Sequence, residues 1–220
     1  MKHKLLTSLW CLFTILLVIT GSIALPIYFR PFYYWQIEPL GIPEATGLDK
    51  QTVMEAYDEV LDYLVLPNRE FGTGVFLHSA EGASHFADCK VLFDLNGTVL
   101  VISAVGLAML AVLRRLGVFA LTRPFGRHPA ALCGGGVLAL FAAVGGLAAL
   151  NFDRAFEVFH AVFFPGTENW LFNRRVDPII LAMPQDFFMN CGILILSSVV
   201  LCSAGLLLYG LLRSDSKRAA

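Results

Sequence analysis

The chain has 220 residues, of which 57% are hydrophobic and 15% are charged, with a formal net charge of −1. So small a charged fraction excludes an ordinary soluble domain. The charges are also segregated, because four stretches lack Asp, Glu, Lys and Arg: residues 5–29, 95–113, 129–150 and 187–212. Each has about the length of the roughly 20 residues that cross a bilayer core as a helix. We therefore predict an all-α membrane protein with four transmembrane helices.

The basic residues predict the orientation of these spans. They lie before the first span, in the 114–128 link and after the last span, as Lys2, Lys4, Arg114, Arg115, Arg123, Arg127, Arg213, Lys217 and Arg218. By the positive-inside rule, both termini and the 114–128 link are expected to be cytoplasmic. The outer loops 30–94 and 151–186 would then form a small extracellular cap. They hold every carboxylate except that of Asp215.

The first span has a second interpretation. Lysines followed by an apolar run that ends at Ser22-Ile-Ala24 are also typical of a cleavable signal peptide. The run is longer than a usual signal core, and Pro26 is unfavourable directly after a cleavage site. We therefore expect the span to be retained.

A dense aromatic cluster, which includes Tyr34 and Trp35, follows the first span. Aromatic belts are typical of membrane interfaces, yet the cytoplasmic side has only scattered rings. This bias towards one side predicts an apolar pocket at the outer surface. A helix from the cap residue Asp49 to about Val65 follows, and its apolar face indicates a structural role.

The first candidate site lies just before the second span. If a helix begins near Ala80, then Glu81, His85 and Asp88 share one face, with a carboxylate one turn to either side of the imidazole. Such partners orient the ring and stabilise its protonated form. A solvated helix face has the same pattern, so these residues alone do not distinguish a catalytic site from an ordinary polar helix face.

The second candidate site directly follows the third span. Helical spacing places four rings on one stripe: Phe152, Phe156, Phe159 and Phe163. His160 lies one turn after Phe156, and Glu157 lies three residues before His160. A histidine on an apolar face beside a carboxylate suits proton transfer near neutral pH. A core histidine with satisfied hydrogen bonds has the same appearance.

Other chemistries have less support in the sequence. No charged residue lies within a span, which disfavours a transporter, and there is no phosphate-binding glycine loop or His-Glu-x-x-His motif. Zinc bound by His85, Asp88 and His160 stays open, although the spacing is not diagnostic. There is no Cys-x-x-Cys pair, and a disulfide between Cys89 and Cys191 is left undecided. Two imidazoles on outer loops suit acid–base chemistry on a lipid-bound group, such as acyl transfer from an ester to an amine.

These motifs together resemble the lipoprotein intramolecular transacylase (Lit) family of bacterial integral membrane proteins. The resemblance rests on Glu81-x-x-x-His85-x-x-Asp88, Phe156-x-x-Phe159-His160-x-x-Phe163-Phe164, Trp170-x-Phe172 and Asp177…Pro184-x-x-Phe187-Phe188. It covers nearly the whole chain, including the order and lengths of the spans. It implies that His85 and His160 are catalytic residues at the junction of an extracellular cap and the membrane.

The implied reaction moves the sn-2 acyl chain of a diacylglyceryl lipoprotein to the α-amino group of its N-terminal cysteine, which gives the N-acylated lyso form. The resemblance implies a multi-pass protein of the bacterial cell (cytoplasmic) membrane that acts on diacylglyceryl-modified lipoproteins and membrane lipid at its extracellular face. We expect no cofactor, no metal and no nucleic-acid partner, and a monomer is favoured.

Under this interpretation one histidine deprotonates the attacking amine and the other protonates the departing glyceryl oxygen; we favour His160 as the base. Glu81, Asp88 and Glu157 would orient the rings. The expected substrate-lining residues are Tyr34, Trp35, Phe156, Phe159, Phe163 and Trp170. Two alternatives remain, namely an outer-surface lipid ester hydrolase and a non-catalytic membrane scaffold.

Overall fold

A computed structural model describes residues 1–215, and the predicted cytoplasmic residues Lys217 and Arg218 lie outside this part. Every regular element of the described chain is helical. The helices are α1 (Lys2–Tyr28), α2 (Pro31–Tyr34), α3 (Ile42–Thr46), α4 (Lys50–Val65), α5 (Ala80–Arg115), α6 (Pro129–Leu150), α7 (Phe152–Phe163), α8 (Ile179–Ala182) and α9 (Gln185–Asp215), with a short 3-10 helix at Pro124–Gly126. The helices α1, α5, α6 and α9 are long and apolar enough to cross a membrane. The predicted all-α architecture with four long apolar helices is confirmed.

The second long helix begins well before its uncharged stretch. α5 starts at Ala80, so residues 95–113 form only its later part, and Glu81, His85 and Asp88 lie on its first turns. Hydropathy identifies the part of a helix that avoids water, whereas backbone hydrogen bonding decides where the helix begins. The polar turns before residue 95 therefore continue the same helix.

The described chain divides into two compact units, and the first comprises Met1–Ile23, Gly97–Ala149 and the chain from Leu194 onward. Within it α6 and α9 approach closely. A Cβ atom at Gly134 would lie 2.5 Å from the carbonyl oxygen of Ser203, and one at Gly210 would overlap the backbone of Ala131. Glycine at these positions lets the two backbones come into van der Waals contact, which is a main attraction between helices in lipid.

The second unit comprises Ala24–Asn96 and Leu150–Ile193. The side chain of Asp49 caps α4 by accepting a hydrogen bond from the backbone N–H of Thr52 at 3.0 Å. The ring of Tyr33 stacks on that of Tyr57 with centroids 3.7 Å apart, and the Tyr33 hydroxyl donates to the carbonyl of Ala182 at 2.7 Å. The two long loops of the sequence thus share one hydrophobic core.

A buried carboxylate fixes the beginning of α5. Asp177, which is 5% exposed, accepts hydrogen bonds from the backbone N–H of Ser79 at 2.7 Å and from its hydroxyl at 2.9 Å. The Ser79 hydroxyl oxygen in turn accepts from the N–H of Gly82 at 2.9 Å. These bonds satisfy otherwise unpaired N–H groups of the first turn. They hold the N-terminus of α5, one turn before His85, against the loop that follows α7.

Candidate active site

The structure brings two histidines from different helices close together. His85 lies on α5 and His160 on α7, and their ring centroids are 5.8 Å apart with an angle of 32° between the planes. Each side chain is only 6% exposed. Two imidazoles at this separation can act on one small group, since proton transfer requires direct contact or one intervening water.

His160 is held in one tautomer by its own helix. Its Nδ1 lies 2.7 Å from the carbonyl oxygen of Phe156. A carbonyl only accepts, so Nδ1 carries the hydrogen and the lone pair of the neutral ring is on Nε2. The indole of Trp170 stacks on the imidazole with centroids 4.3 Å apart, and the Phe156 ring contacts it at the same centroid distance. The ring is therefore fixed with Nε2 as its basic atom.

His85 has a different set of neighbours. Its Nε2 lies 3.5 Å from the sulfur of Cys89, a free thiol one turn later on α5. The rings of Phe164 and Phe172 meet the imidazole edge to face, with centroids at 4.9 and 5.6 Å. Nδ1 is buried and has no hydrogen-bond partner among the described residues. One nitrogen of this ring thus lacks the partner that burial normally demands.

Both histidines are neutral near pH 7. Burial lowers the pKa of His85 to about 4 and the proximity of His160 adds to this, while Asp88 and Asn169 act in the opposite direction. Burial also lowers the pKa of His160, against the hydrogen bond to Phe156. Since a positive charge on one ring disfavours a positive charge on the other, the pair binds at most one proton beyond its neutral state.

The three predicted orienting carboxylates have different positions. Asp88 accepts a hydrogen bond from Nδ2 of Asn169 at 2.9 Å and acts on His85 through its charge. Glu81 is exposed, and within the described residues no hydrogen bond joins it to His85. Glu157 pairs with Arg154 at 2.8 Å on the exposed face of α7. The prediction that Glu157 orients His160 is therefore not met, because the exposed carboxylate takes an exposed cation.

Of the four predicted rings of α7 and its following loop, two contact His160 closely and two face outward. Phe156 and Trp170 are the close neighbours. Phe159 and Phe163 are 46% and 49% exposed and pack against each other at 4.7 Å, although the Phe159 ring also lies 5.4 Å from His160. The buried face of α7 is centred on His160 and Phe164 rather than on the phenylalanine stripe. The apolar face of α7 is wider than the surface that packs against it, so Phe159 and Phe163 at its edge stay exposed.

Tyr34 and Trp35 do not join this site in the described part of the chain. The Tyr34 hydroxyl donates to Asp58 at 2.6 Å, and Asp58 also pairs with Arg30. The indole of Trp35 is 65% exposed and packs edge-on against Phe29. The aromatic cluster after the first span thus builds the core and surface of the second unit.

Four neighbours of His85 were not among the predicted site residues. Cys89, Phe164 and Phe172 contact its ring, and Asn169 bonds to Asp88. The phenylalanines occur in the motifs quoted above, but the loop that carries Asn169 has no regular period from which its contacts could be read. A polar residue directly before Trp170 in an aromatic stretch is the one signal that marks it.

The zinc alternative has no support in this arrangement. Among the described residues no group of three His, Cys, Asp or Glu side chains is placed to hold a metal ion. The Asp88 carboxylate, one of the three candidate ligands, is engaged by Asn169 instead. The geometry favours acid–base chemistry by the two rings.

The chain matches known proteins along most of its length. A family model described as "Lipoprotein intramolecular transacylase Lit" matches residues 8–188. Among solved structures, the in meso structure of the membrane integral lipoprotein intramolecular transacylase Lit from Bacillus cereus superposes with a TM-score of 0.84 at 22% identity, covering 98% of this chain and 97% of that chain.

The same Bacillus cereus protein with a histidine-to-arginine mutation gives a TM-score of 0.77 at 20% identity, covering 98% of this chain and 93% of that chain. A third form, with a histidine-to-alanine mutation, gives 0.75 at 22% identity, covering 98% and 95%. No curated protein sequence matches significantly. At these identities the structural matches show a shared fold.

Proposed function

The chain belongs to the lipoprotein intramolecular transacylase (Lit) family, as its motifs predict, and is thus an acyltransferase; we propose that it acylates the N-terminal cysteine of bacterial lipoproteins. In this reaction the sn-2 acyl chain of the diacylglyceryl group moves to the α-amino group of the same cysteine, which leaves the N-acylated lyso form. The observation that carries this proposal is the pair of buried, neutral imidazoles 5.8 Å apart.

The proton balance of this transfer suits such a pair. A bond forms between the amine nitrogen and the acyl carbon, and the bond from that carbon to the glyceryl oxygen breaks. The amine loses one proton and the glyceryl oxygen gains one, so the enzyme begins and ends with both rings neutral. No nucleotide is required, because an amide is more stable than the ester it replaces.

We assign His160 as the base that removes the proton from the attacking amine. Its hydrogen bond to Phe156 fixes the lone pair on Nε2 and opposes the effect of burial on its pKa. Asp88 and Asn169 also raise the pKa of His85, but burial and the neighbouring His160 outweigh them and lower it to about 4. A base works best when its pKa is close to the operating pH, which favours His160.

His85 then delivers the proton to the departing glyceryl oxygen. With ring centroids 5.8 Å apart, a proton can pass between the two rings through one water or through the reacting group. Because the pKa of His85 is about 4, its protonated form gives the proton up readily to an alkoxide. The transfer returns both rings to the neutral state that burial favours.

The surroundings support direct attack by the amine rather than an acyl-enzyme intermediate. Burial and Asp88 raise the pKa of the Cys89 thiol to about 12, so this thiol beside His85 is a poor nucleophile. The aromatic rings around the pair offer apolar contacts for acyl chains. Holding the ester and the amine of one substrate together supplies the rate acceleration through proximity.

The distribution of basic residues supports placing this site at the extracellular face of the bacterial cytoplasmic membrane, with both termini in the cytoplasm. There the protein would act on diacylglyceryl-modified lipoproteins within the membrane, as a monomer, and without a metal, a cofactor or a nucleic-acid partner.

The test uses purified protein in nanodiscs with a synthetic diacylglyceryl lipopeptide. Substrate and product have the same mass, so tandem mass spectrometry must show the acyl group on the amine. We expect His85→Ala and His160→Ala to slow product formation by about 100-fold or more. His78→Ala is the matched control, since His78 contacts Thr73 and Phe71 and is expected to leave the rate unchanged.

Two outcomes would overturn the proposal. Free fatty acid released in place of the N-acylated product would identify a hydrolase, in which water replaces the amine. Normal product from a folded His85→Ala or His160→Ala protein would remove that histidine from the mechanism.

A further inference from the structure

Two buried polar atoms of the site have no hydrogen-bond partner among the described residues. One is Nδ1 of His85 and the other is Oδ1 of Asn169. Burial of an unpaired polar atom is costly, and such atoms in a folded protein call for an explanation. The two atoms lie on neighbouring side chains, since a hydrogen-bond interaction with Asn169 acts to raise the pKa of His85.

The contact between His85 and Cys89 is compatible with Nδ1 as the donor. The Cys89 thiol stays protonated, because its pKa is raised to about 12, and its sulfur lies 3.5 Å from Nε2. In the tautomer that we assign, the S–H group donates to Nε2 and the hydrogen of the neutral ring is on Nδ1. His85 thus presents a buried N–H group that needs an acceptor.

The orientation of the Asn169 amide is fixed independently. Its Nδ2 donates to the carboxylate of Asp88 at 2.9 Å and lies 3.4 Å from the hydroxyl of Ser84. An ionised carboxylate only accepts, so the NH₂ group must face Asp88 and the oxygen must face away from it. Oδ1 is thereby left as a buried acceptor without a donor.

We propose that Asn169 is the positioning residue of His85. When the substrate displaces the weak contact between Nε2 and the Cys89 thiol, Nε2 turns to the reacting group. The Asn169 Oδ1 then accepts the hydrogen of Nδ1 and holds the ring in place. This inference rests on the proposed transacylase function. Both histidines are then anchored in the same way, through Nδ1 to a carbonyl oxygen, at Phe156 for His160 and at Asn169 for His85. In each ring Nε2 is the atom that handles the proton.

Asn169 and its successor Trp170 together set the distance between the rings. Asn169 contacts the face of α5 that carries Ser84, His85 and Asp88, while Trp170 stacks on His160 of α7. Two adjacent residues of one loop thus hold imidazoles from two helices. The Asp88 charge also polarises the amide, which strengthens Oδ1 as an acceptor.

The test compares three variants in the lipopeptide assay. Asn169→Ala removes both contacts, and we expect a rate about 10- to 100-fold lower, as for partial loss of acid–base catalysis. Asn169→Asp keeps the acceptor and loses the donor to Asp88, so its rate should be several-fold above that of Asn169→Ala. Asn173→Ala makes the same chemical change in the same loop and should leave the rate unchanged. The side chain of Asn173 accepts from the N–H of Arg175, and the bonds to its backbone carbonyl are kept in the variant.

A spectroscopic measurement separates positioning from a merely structural role. In ¹⁵N-histidine-labelled protein, with the His85 signals identified by their loss in His85→Gln, we expect the wild type to show the Nδ1–H tautomer. Asn169→Ala should show a mixture of the two tautomers, and Asn169→Asp should retain the wild-type form. An unchanged tautomer in folded Asn169→Ala would overturn the inference, even if the rate falls.

The two proposals fail in different ways. If the wild type gives no N-acylated product, the proposed function is wrong, yet the tautomer still reports whether Asn169 anchors His85. If the wild type is active and Asn169→Ala matches it in rate, the function stands and the positioning role is wrong.

Discussion

Two regions of the molecule bury histidines to the same extent, and we propose a catalytic role for those of one region only. His85 and His160 are each 6% exposed in the second unit, and His128 is 8% exposed in the first. All three have aromatic neighbours. Burial and aromatic contact therefore do not distinguish a catalytic imidazole from a structural one.

The hydrogen bonds of the ring nitrogens distinguish His128 from His160. Nδ1 of His128 accepts a hydrogen bond from the backbone N–H of Ala130 at 3.2 Å, which caps the start of α6. The hydrogen of the neutral ring is then on Nε2, and the ring has no free lone pair. His160 has the opposite tautomer, with Nδ1 donating to Phe156 and the lone pair on Nε2 available. A second imidazole faces His160, whereas Trp10 and Tyr209 are the rings around His128.

The pKa values of the histidines do not distinguish the two regions either. Burial lowers the pKa of His128, and Arg123, Arg114 and Arg213 lower it further. Burial also lowers the pKa of both members of the pair. A lowered pKa is thus common to both regions, whereas a neighbouring imidazole is a feature of His85 and His160.

The largest contrast is expected from the same substitution in each region. His160→Asn should slow acyl transfer by about 100-fold or more, since it removes the proposed base. His128→Asn should stay within about twofold, because asparagine can also cap a helix. Initial rates in the lipopeptide assay measure both. Equal losses of rate would contradict the assignment of His128 to structure.

Acid should destabilise the protein through the pair. The pKa of His85 is lowered to about 4, so below its ordinary value near 6.5 the unfolded chain binds a proton that the folded chain excludes. Stability should therefore fall as the pH drops from 6.5 towards 4, by up to about 3 kcal/mol from this residue. Thermal midpoints at several pH values measure the effect, and His85→Gln should reduce it. A midpoint independent of pH in this range would contradict the burial of a neutral His85.

The tryptophans allow a matched comparison of how the rings are held. Trp170 stacks on His160, while Trp10 meets His128 edge-on at 6.4 Å. Trp170→Leu should lower the rate about tenfold by loosening the base, a cost of about 1.4 kcal/mol in the transition state. Trp10→Leu should affect only thermal stability. A rate loss in Trp10→Leu of the same size would show that the contrast is not local to the pair.

The smallest effect on the rate is expected from a substitution of Glu157, whose carboxylate lies on the exposed face of α7. Glu157→Gln removes an exposed ion pair with Arg154, which is worth about 0–1 kcal/mol of stability. The rate should change by less than about twofold, since the ring of His160 is held by Phe156 and Trp170. A loss comparable to that of Trp170→Leu would restore Glu157 as an orienting residue.

The sequence predicted the helices better than the faces they bury. The spacing of Glu81, His85 and Asp88 required a helix that begins near Ala80, and α5 begins there. On α7 the spacing placed Phe156, Phe159 and Phe163 on one apolar stripe, and the structure buries His160 and Phe164 while Phe159 and Phe163 stay exposed. Periodicity fixes which residues share a face, but the partner decides how much of a wide apolar face is covered.

At the candidate site, too, the sequence predicted some residues and missed others. The two histidines stood out because each is a titratable ring in an apolar helical pattern. Tyr34 was expected at the site for its aromatic neighbours, but its hydroxyl bonds to Asp58 elsewhere in the second unit. Asn169 was overlooked because its loop has no repeating pattern, and its contact with Asp88 joins residues far apart in the chain.

By itself the sequence determined the helical class, the four long apolar segments and the family, because hydropathy and motif spacing are local properties of the chain. Only the tertiary structure decided that His85 and His160 face each other and which nitrogen of each is free. Both depend on contacts across long sequence separations. Asp177 accepts hydrogen bonds at the start of α5, Asn169 donates to Asp88 beside His85, and Trp170 stacks on His160. The physical reason is that a hydrogen bond or a ring stack is specified by position in space, which no spacing along one helix encodes.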